Sequence, residues 1–125
     1  MSFNVRANST THSIDEYTVL FDGDSNSNIT LSDSVANYKY VDIMFRQSNN
    51  YKSVRVWSPN GKYAILDMSD YESSQVEIFN ALIGLSGTTI SRLRNINFRI
   101  KNSSTWSPYG YSTQLLYITK VIGYK

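Results

Sequence analysis

A chain of 125 residues and 14.3 kDa has the length of one domain, and it can bury a core without disulfide or metal staples. It contains no cysteine, which excludes a disulfide framework and any thiolate metal site. The net charge of +2 and a pI near 8.8 are modest for a nucleic-acid binder, and no apolar run nears the roughly 20 residues of a membrane helix.

Residues 1–16 are polar, rich in Ser, Thr and Asn, and without periodicity; they read as an N-terminal arm or linker. No charged-then-apolar signal pattern occurs there, so Sec-type secretion is not expected. The first strand is expected at Tyr17-Thr18-Val19-Leu20-Phe21, ending in the turn-forming run from Asp22 to Asn28. Ile29-Thr30-Leu31 restarts a short strand, and the two read as a hairpin. From Ser32 to Asn37 the chain reads as a loop, with room for one helical turn capped by Ser32.

Tyr38 to Gln47 alternates cleanly, with Val41, Ile43 and Phe45 on an inner face and Tyr40, Asp42, Met44 and Arg46 on an outer one. After the turn at Ser48-Asn49-Asn50, Tyr51 to Trp57 returns with Val54 and Val56 inside. Pro59 stands second in the turn Ser58-Pro59-Asn60-Gly61, which reads as type I or II. Further strands are expected at Tyr63 to Met68, Ser74 to Leu82 and Asn95 to Lys101, the last with Ile96, Phe98 and Ile100 inside. Gly84 and Gly87 mark a bend in the stretch between them. Asn102 to Ser112 reads as a long loop.

The run from Gln114 to Lys125 is the longest β-like segment. It is apolar on both faces, with Leu116, Ile118 and Ile122 on one side, interrupted by Lys120, and Leu115, Tyr117 and Val121 on the other. A strand of that kind belongs in the middle of a sandwich or at a subunit interface. Eight or nine short strands at regular spacing therefore predict an all-β, antiparallel β-sandwich of jelly-roll-like form over residues 17–125.

Three stretches carry a resemblance: Ile29-Thr30-Leu31-Ser32-Asp33-Ser34, Asn37-Tyr38-Lys39-Tyr40-Val41-Asp42-Ile43 and Ile118-Thr119-Lys120-Val121-Ile122-Gly123-Tyr124-Lys125. In strand order the chain resembles the C-terminal receptor-binding head domains of tail fibre and baseplate proteins of bacteriophages that infect Gram-positive bacteria. The resemblance implies a sandwich head at the tail tip of a virion, acting outside the host cell. It implies a homotrimer that contacts other tail or baseplate proteins and a cell-surface polysaccharide. No family site transfers residue by residue, because the shared stretches are strand cores.

The residues themselves offer two saccharide-binding candidates. Trp106, Tyr109 and Tyr111 bring three aromatics into six positions, and flat rings match the C–H face of a pyranose. The competing reading folds them back over the end of the sandwich. Tyr51, Arg55 and Trp57 share the outer face of one strand beside Tyr40, Asp42, Met44 and Arg46; the competing readings are a subunit contact or a second sheet packed there. No catalytic constellation is expected. His12, the single histidine, lies in the polar arm, and Asp67 with Asp70 or Glu72 would be the nearest approach to a hydrolytic carboxylate pair. Asp22, Asp24, Asn26, Asn28 and Asp33 copy part of a calcium-loop spacing but lack its glycine and final glutamate, so they read as turn residues. No cofactor or metal is implied. All ten acidic residues lie at or before Glu77, so the basic C-terminal part either pairs with acidic strands or faces an anionic partner.

Overall fold

The protein is described by a computed structural model covering residues 3–7, 10–14, 16–72, 75–101, 106–109 and 116–125, with side chains described for residues 16–69, 76–95 and 116–125. In chain order the strands are β1 (Phe3–Ala7), β2 (Thr10–Ile14), β3 (Tyr17–Ser25), β4 (Ile29–Thr30), β5 (Tyr40–Gln47), β6 (Asn50–Trp57), β7 (Lys62–Glu72), β8 (Gln75–Ser86), β9 (Thr89–Lys101), β10 (Trp106–Tyr109) and β11 (Tyr117–Tyr124). Period-2 alternation of apolar residues produces this outcome: one face of each long strand has to leave water.

Two antiparallel sheets face each other. One has the order β3-β11-β5-β6; the other runs β10-β9-β8-β7 as a meander, with β4 paired to the first residues of β9. The β-sandwich expected from the alternation is present, with eight long or edge strands in the two layers and β4 as a ninth. Its core takes Val41, Ile43, Phe45, Ile118 and Val121 from the first sheet and Leu66, Ala81, Ile83, Leu85 and Ile90 from the second. Each of these is almost fully removed from water, worth about 1.5–3 kcal/mol for a side chain the size of Leu or Phe. The segment read as an N-terminal arm or linker contains a hairpin, β1 with β2, in the register Phe3↔Ile14 to Ala7↔Thr10.

The last strand lies between β3 and β5, the central place its two apolar faces called for. A bulge resolves the conflict over Lys120. The pairing with β5 passes from Ile118↔Phe45 to Lys120↔Met44, so Thr119 is an extra residue and the side-chain phase flips there. Leu116, Ile118 and Val121 all face the core, while Lys120, Ile122 and Tyr124 face out.

Four local expectations are corrected. β3 continues through Asp22, Gly23 and Asp24 to Ser25, because β11 supplies backbone partners at Asp22 and Ser25. Ile29 and Thr30 pair with Ile90 and Thr89 of the opposite sheet, not with β3. The helical turn is a 3₁₀ turn at Val35–Asn37, capped by Ser34 rather than Ser32, whose own N–H reaches Leu20 of β3. The hydrogen-bonded turn after β6 begins at Pro59, whose carbonyl accepts from Lys62 N at 3.1 Å, and its third residue, Gly61, has φ +79°. In addition, Trp106–Tyr109 is a strand on β9 rather than loop. Pro108 is tolerated there because β10 is an edge strand.

Arg92 ties the layers together at one end. Its Nη2 donates to the carbonyls of Ser25 and Leu116, and burial pushes the guanidinium pKa down. At the open side between the sheets, Lys52 of β6 donates to the Asp67 carbonyl of β7 at 3.3 Å. A lysine there discourages pairing of either strand edge with another chain.

Candidate functional site

The outer face of the β3-β11-β5-β6 sheet holds one row of four aromatic rings. Strand register sets it: Tyr124 pairs with Tyr17 on one side and Tyr40 on the other, and Tyr40 pairs with Trp57. The Tyr40 and Tyr124 rings stack at 4.7 Å and 21°, Trp57 leans on Tyr40 at 4.6 Å, and Tyr17 meets Tyr124 at 6.2 Å. Offset and tilted contacts at these separations are the favoured aromatic arrangements. The inner two rings are largely covered, whereas Trp57 is 57% and Tyr17 62% exposed.

Arg55 closes the row from above. Its guanidinium carbon lies 4.1 Å from the centre of the Tyr40 ring, and Asp42 holds it through Nε and Nη2 at 2.8 and 3.0 Å. Those hydrogen bonds raise the pKa of Arg55, so the cation persists at every working pH. Burial raises the Tyr124 hydroxyl, reinforced by the Asp42 charge.

A second charged plate sits further along the same face. Arg46 makes a two-point contact with Asp24, with Nε to Oδ1 at 2.8 Å, and stacks 4.5 Å from the Tyr117 ring centre. The hydrogen bond from Arg46 lowers the Asp24 pKa. Tyr51 stands nearby, 69% exposed, and lines a hollow of about 620 Å³ together with Asp22, Asp24, Met44, Arg46 and Lys120. Tyr51 and Trp57 are six residues apart on one face of β6, about 20 Å at the usual rise.

Of the sequence candidates, Tyr51, Arg55 and Trp57 share this face as expected; all three are exposed, outward from a sandwich whose core is on the other side, and among the described residues no second sheet packs on them. The backbone of Trp106 and Tyr109 belongs to the other sheet; their side chains and all of Tyr111 lie outside the described residues. The side chains of His12, Asp70, Glu72, Ile96, Phe98 and Ile100 lie outside them too. Sequence patterning does not single out Tyr17 and Tyr124, and it marks Tyr40 only as a neighbour of the Tyr51 face. No local signal joins them, because the row exists only once β11 enters between β3 and β5.

The carboxylates that copied a calcium spacing are otherwise engaged. Asp24 holds Arg46, Asp22 lies 3.9 Å from Lys120, and Asp33 accepts from the Tyr38 hydroxyl at 2.8 Å. Asp67 is exposed and faces Lys52 at 3.6 Å. Among the described residues no group of three His, Cys, Asp or Glu could hold a metal ion. Lys120–Asp22 links the basic C-terminal part to an acidic strand. No protein-family model matches the chain, and no curated protein is similar to it.

Proposed function

We propose that this is a non-enzymatic carbohydrate-binding domain whose recognition surface is the outer face of the β3-β11-β5-β6 sheet. The observation that carries the reading is the row Tyr17–Tyr124–Tyr40–Trp57 with its exposed end rings. Covered inner rings and the Asp42-held Arg55 make the surface rigid before any ligand arrives, which lowers the ordering cost of binding. Exposed Trp57 and Tyr51 give flat apolar faces for pyranose C–H groups, and the charged groups between them supply hydrogen bonds to hydroxyls.

In the setting that the sequence resemblance implies, the saccharide belongs to a Gram-positive cell surface. The domain is then the adhesion head of a phage tail protein, used as a homotrimer so that weak single sites gain avidity. The Trp106–Tyr111 stretch, with its three aromatics, would be a second contact for the same polymer.

A structural role in a tail or baseplate is the second reading. The outer face of the meander favours it, since Tyr63 and Ile65 are 71% and 59% exposed there and suit a protein contact. Binding of purified cell-wall polysaccharides, followed by calorimetry on the intact chain, decides between them. Trp57→Ala and Tyr51→Ala should each weaken binding about tenfold while molar mass in solution stays unchanged. Unaltered polysaccharide binding in both variants, or no binding by an assembled multimer, would overturn the saccharide reading. Loss of assembly on Tyr63→Ser with Ile65→Ser would support the structural one.

A further inference from the structure

We infer that the hollow beside Tyr51 is a specificity subsite for an uncharged, hydroxyl-rich sugar residue, at the opposite end of the face from Trp57. This rests on the carbohydrate reading above and adds to it which residue of the polymer is selected, and by what.

The hollow measures about 620 Å³, enough for a sugar ring and its hydroxyls. Its chemistry is balanced: Asp22 and Asp24 oppose Arg46 and Lys120. The Arg46–Asp24 plate is already built, since Tyr117 supports the guanidinium and Nη1 donates to the Ser48 carbonyl at 3.1 Å. A guanidinium has five N–H donors. Three are used by Asp24 and Ser48, which leaves one hydrogen on each terminal nitrogen. The Asp24 carboxylate keeps further lone pairs. Donors and acceptors thus lie side by side in one plane. Neighbouring sugar hydroxyls, each able to donate and accept, match that pattern. The exposed Tyr51 ring forms one wall for the C–H face, and Met44 adds an apolar contact.

The same arrangement disfavours ions. A phosphate or uronate would compete with Asp24 for Arg46 and would meet two carboxylates. A cation would meet Arg46 and Lys120. The hydrogen bond from Arg46 lowers the Asp24 pKa, so that carboxylate stays charged throughout the ordinary carboxylate range and above it.

The test uses the full chain with trisaccharides of glucose, galactose and rhamnose as neutral probes, and a galacturonic acid trisaccharide and poly(glycerol phosphate) as anionic ones. Calorimetry should show a neutral probe bound in preference to both anionic ones. Asp24→Asn unpairs Arg46; it should weaken the neutral probe about tenfold and strengthen the anionic ones. Tyr51→Ala, which removes an exposed ring, should weaken the neutral probe without admitting the anions. Trp57→Ala should weaken every bound probe and leave the preference unchanged. If Trp57→Ala weakens binding while Asp24→Asn and Tyr51→Ala leave affinity and preference intact, the subsite is wrong and the carbohydrate face stands. A wild-type preference for the anionic probes overturns the subsite as well. If no probe or cell-wall polysaccharide binds, both readings fall.

Discussion

The two outer faces of the sandwich are built from the same kinds of residue and end in different states. On the four-stranded sheet, Tyr40 is packed between Trp57 and Tyr124 and capped by Arg55, so a residue on an outward face is nearly as covered as the core. On the meander, Tyr63 pairs with Gly84, which has no side chain to meet it, and Leu93 stands on the far side of the same glycine. Cross-strand neighbours decide whether an aromatic becomes an ordered platform or an exposed ring; residue type alone does not.

The two faces should differ most at Tyr40 and Tyr63. Tyr40→Ala should cost about 3 kcal/mol, because it empties a site enclosed by two rings and a guanidinium. Tyr63→Ala should stay within about 0.5 kcal/mol, as an exposed change does. Urea titrations with equal m-values would read both; similar losses would show that the two faces are not different. Next comes Gly123→Ala. A Cβ there would lie 2.6 Å from the ring of Tyr38, a core residue, so overpacking of about 1–3 kcal/mol is expected on the inner face of β11, behind Tyr124. Gly84→Ala, on the outer face of the meander, should do the opposite. The added Cβ meets Tyr63 and Leu93 at 3.5 and 3.6 Å, ordinary contact, so a gain of about 0.5 kcal/mol is expected in the same titration.

The smallest effect is expected in acid. Tyr38 is held by Asp33, whose carboxyl is lowered by that hydroxyl first and then by the N–H of Ser34. A folded-state pKa below the unfolded one means the contribution is complete above the ordinary carboxylate range and fades as pH falls through the lowered value. Thermal midpoints of the wild type should therefore drop below about pH 4 more steeply than those of Asp33→Asn. Parallel curves would remove Asp33 from the account of acid stability.

Much of the first sheet was legible. Val41, Ile43 and Phe45 alternate with Tyr40, Asp42, Met44 and Arg46, and alternation is a local property that needs no knowledge of partners. Tyr51, Arg55 and Trp57 followed from the same rule. The run from Asp22 to Asn28 misled because turn chemistry and edge-strand chemistry draw on the same polar residues, and only pairing with β11 tells them apart. Ile29 and Thr30 misled because nearness in sequence favours a hairpin, whereas their partners lie on β9.

Period-2 patterning is written residue by residue, so it is enough to set the class of fold and which side of most strands is wet. Tertiary structure decided what those wet sides became. The aromatic row takes one ring from each of β3, β11, β5 and β6. Its two outermost strands in sequence, β3 and β11, stand near opposite ends of the sandwich segment. Register across three strand boundaries and the bulge at Thr119 bring those rings together. Contacts of that kind depend on which strands become neighbours, a property of the folded chain and of no single stretch of it.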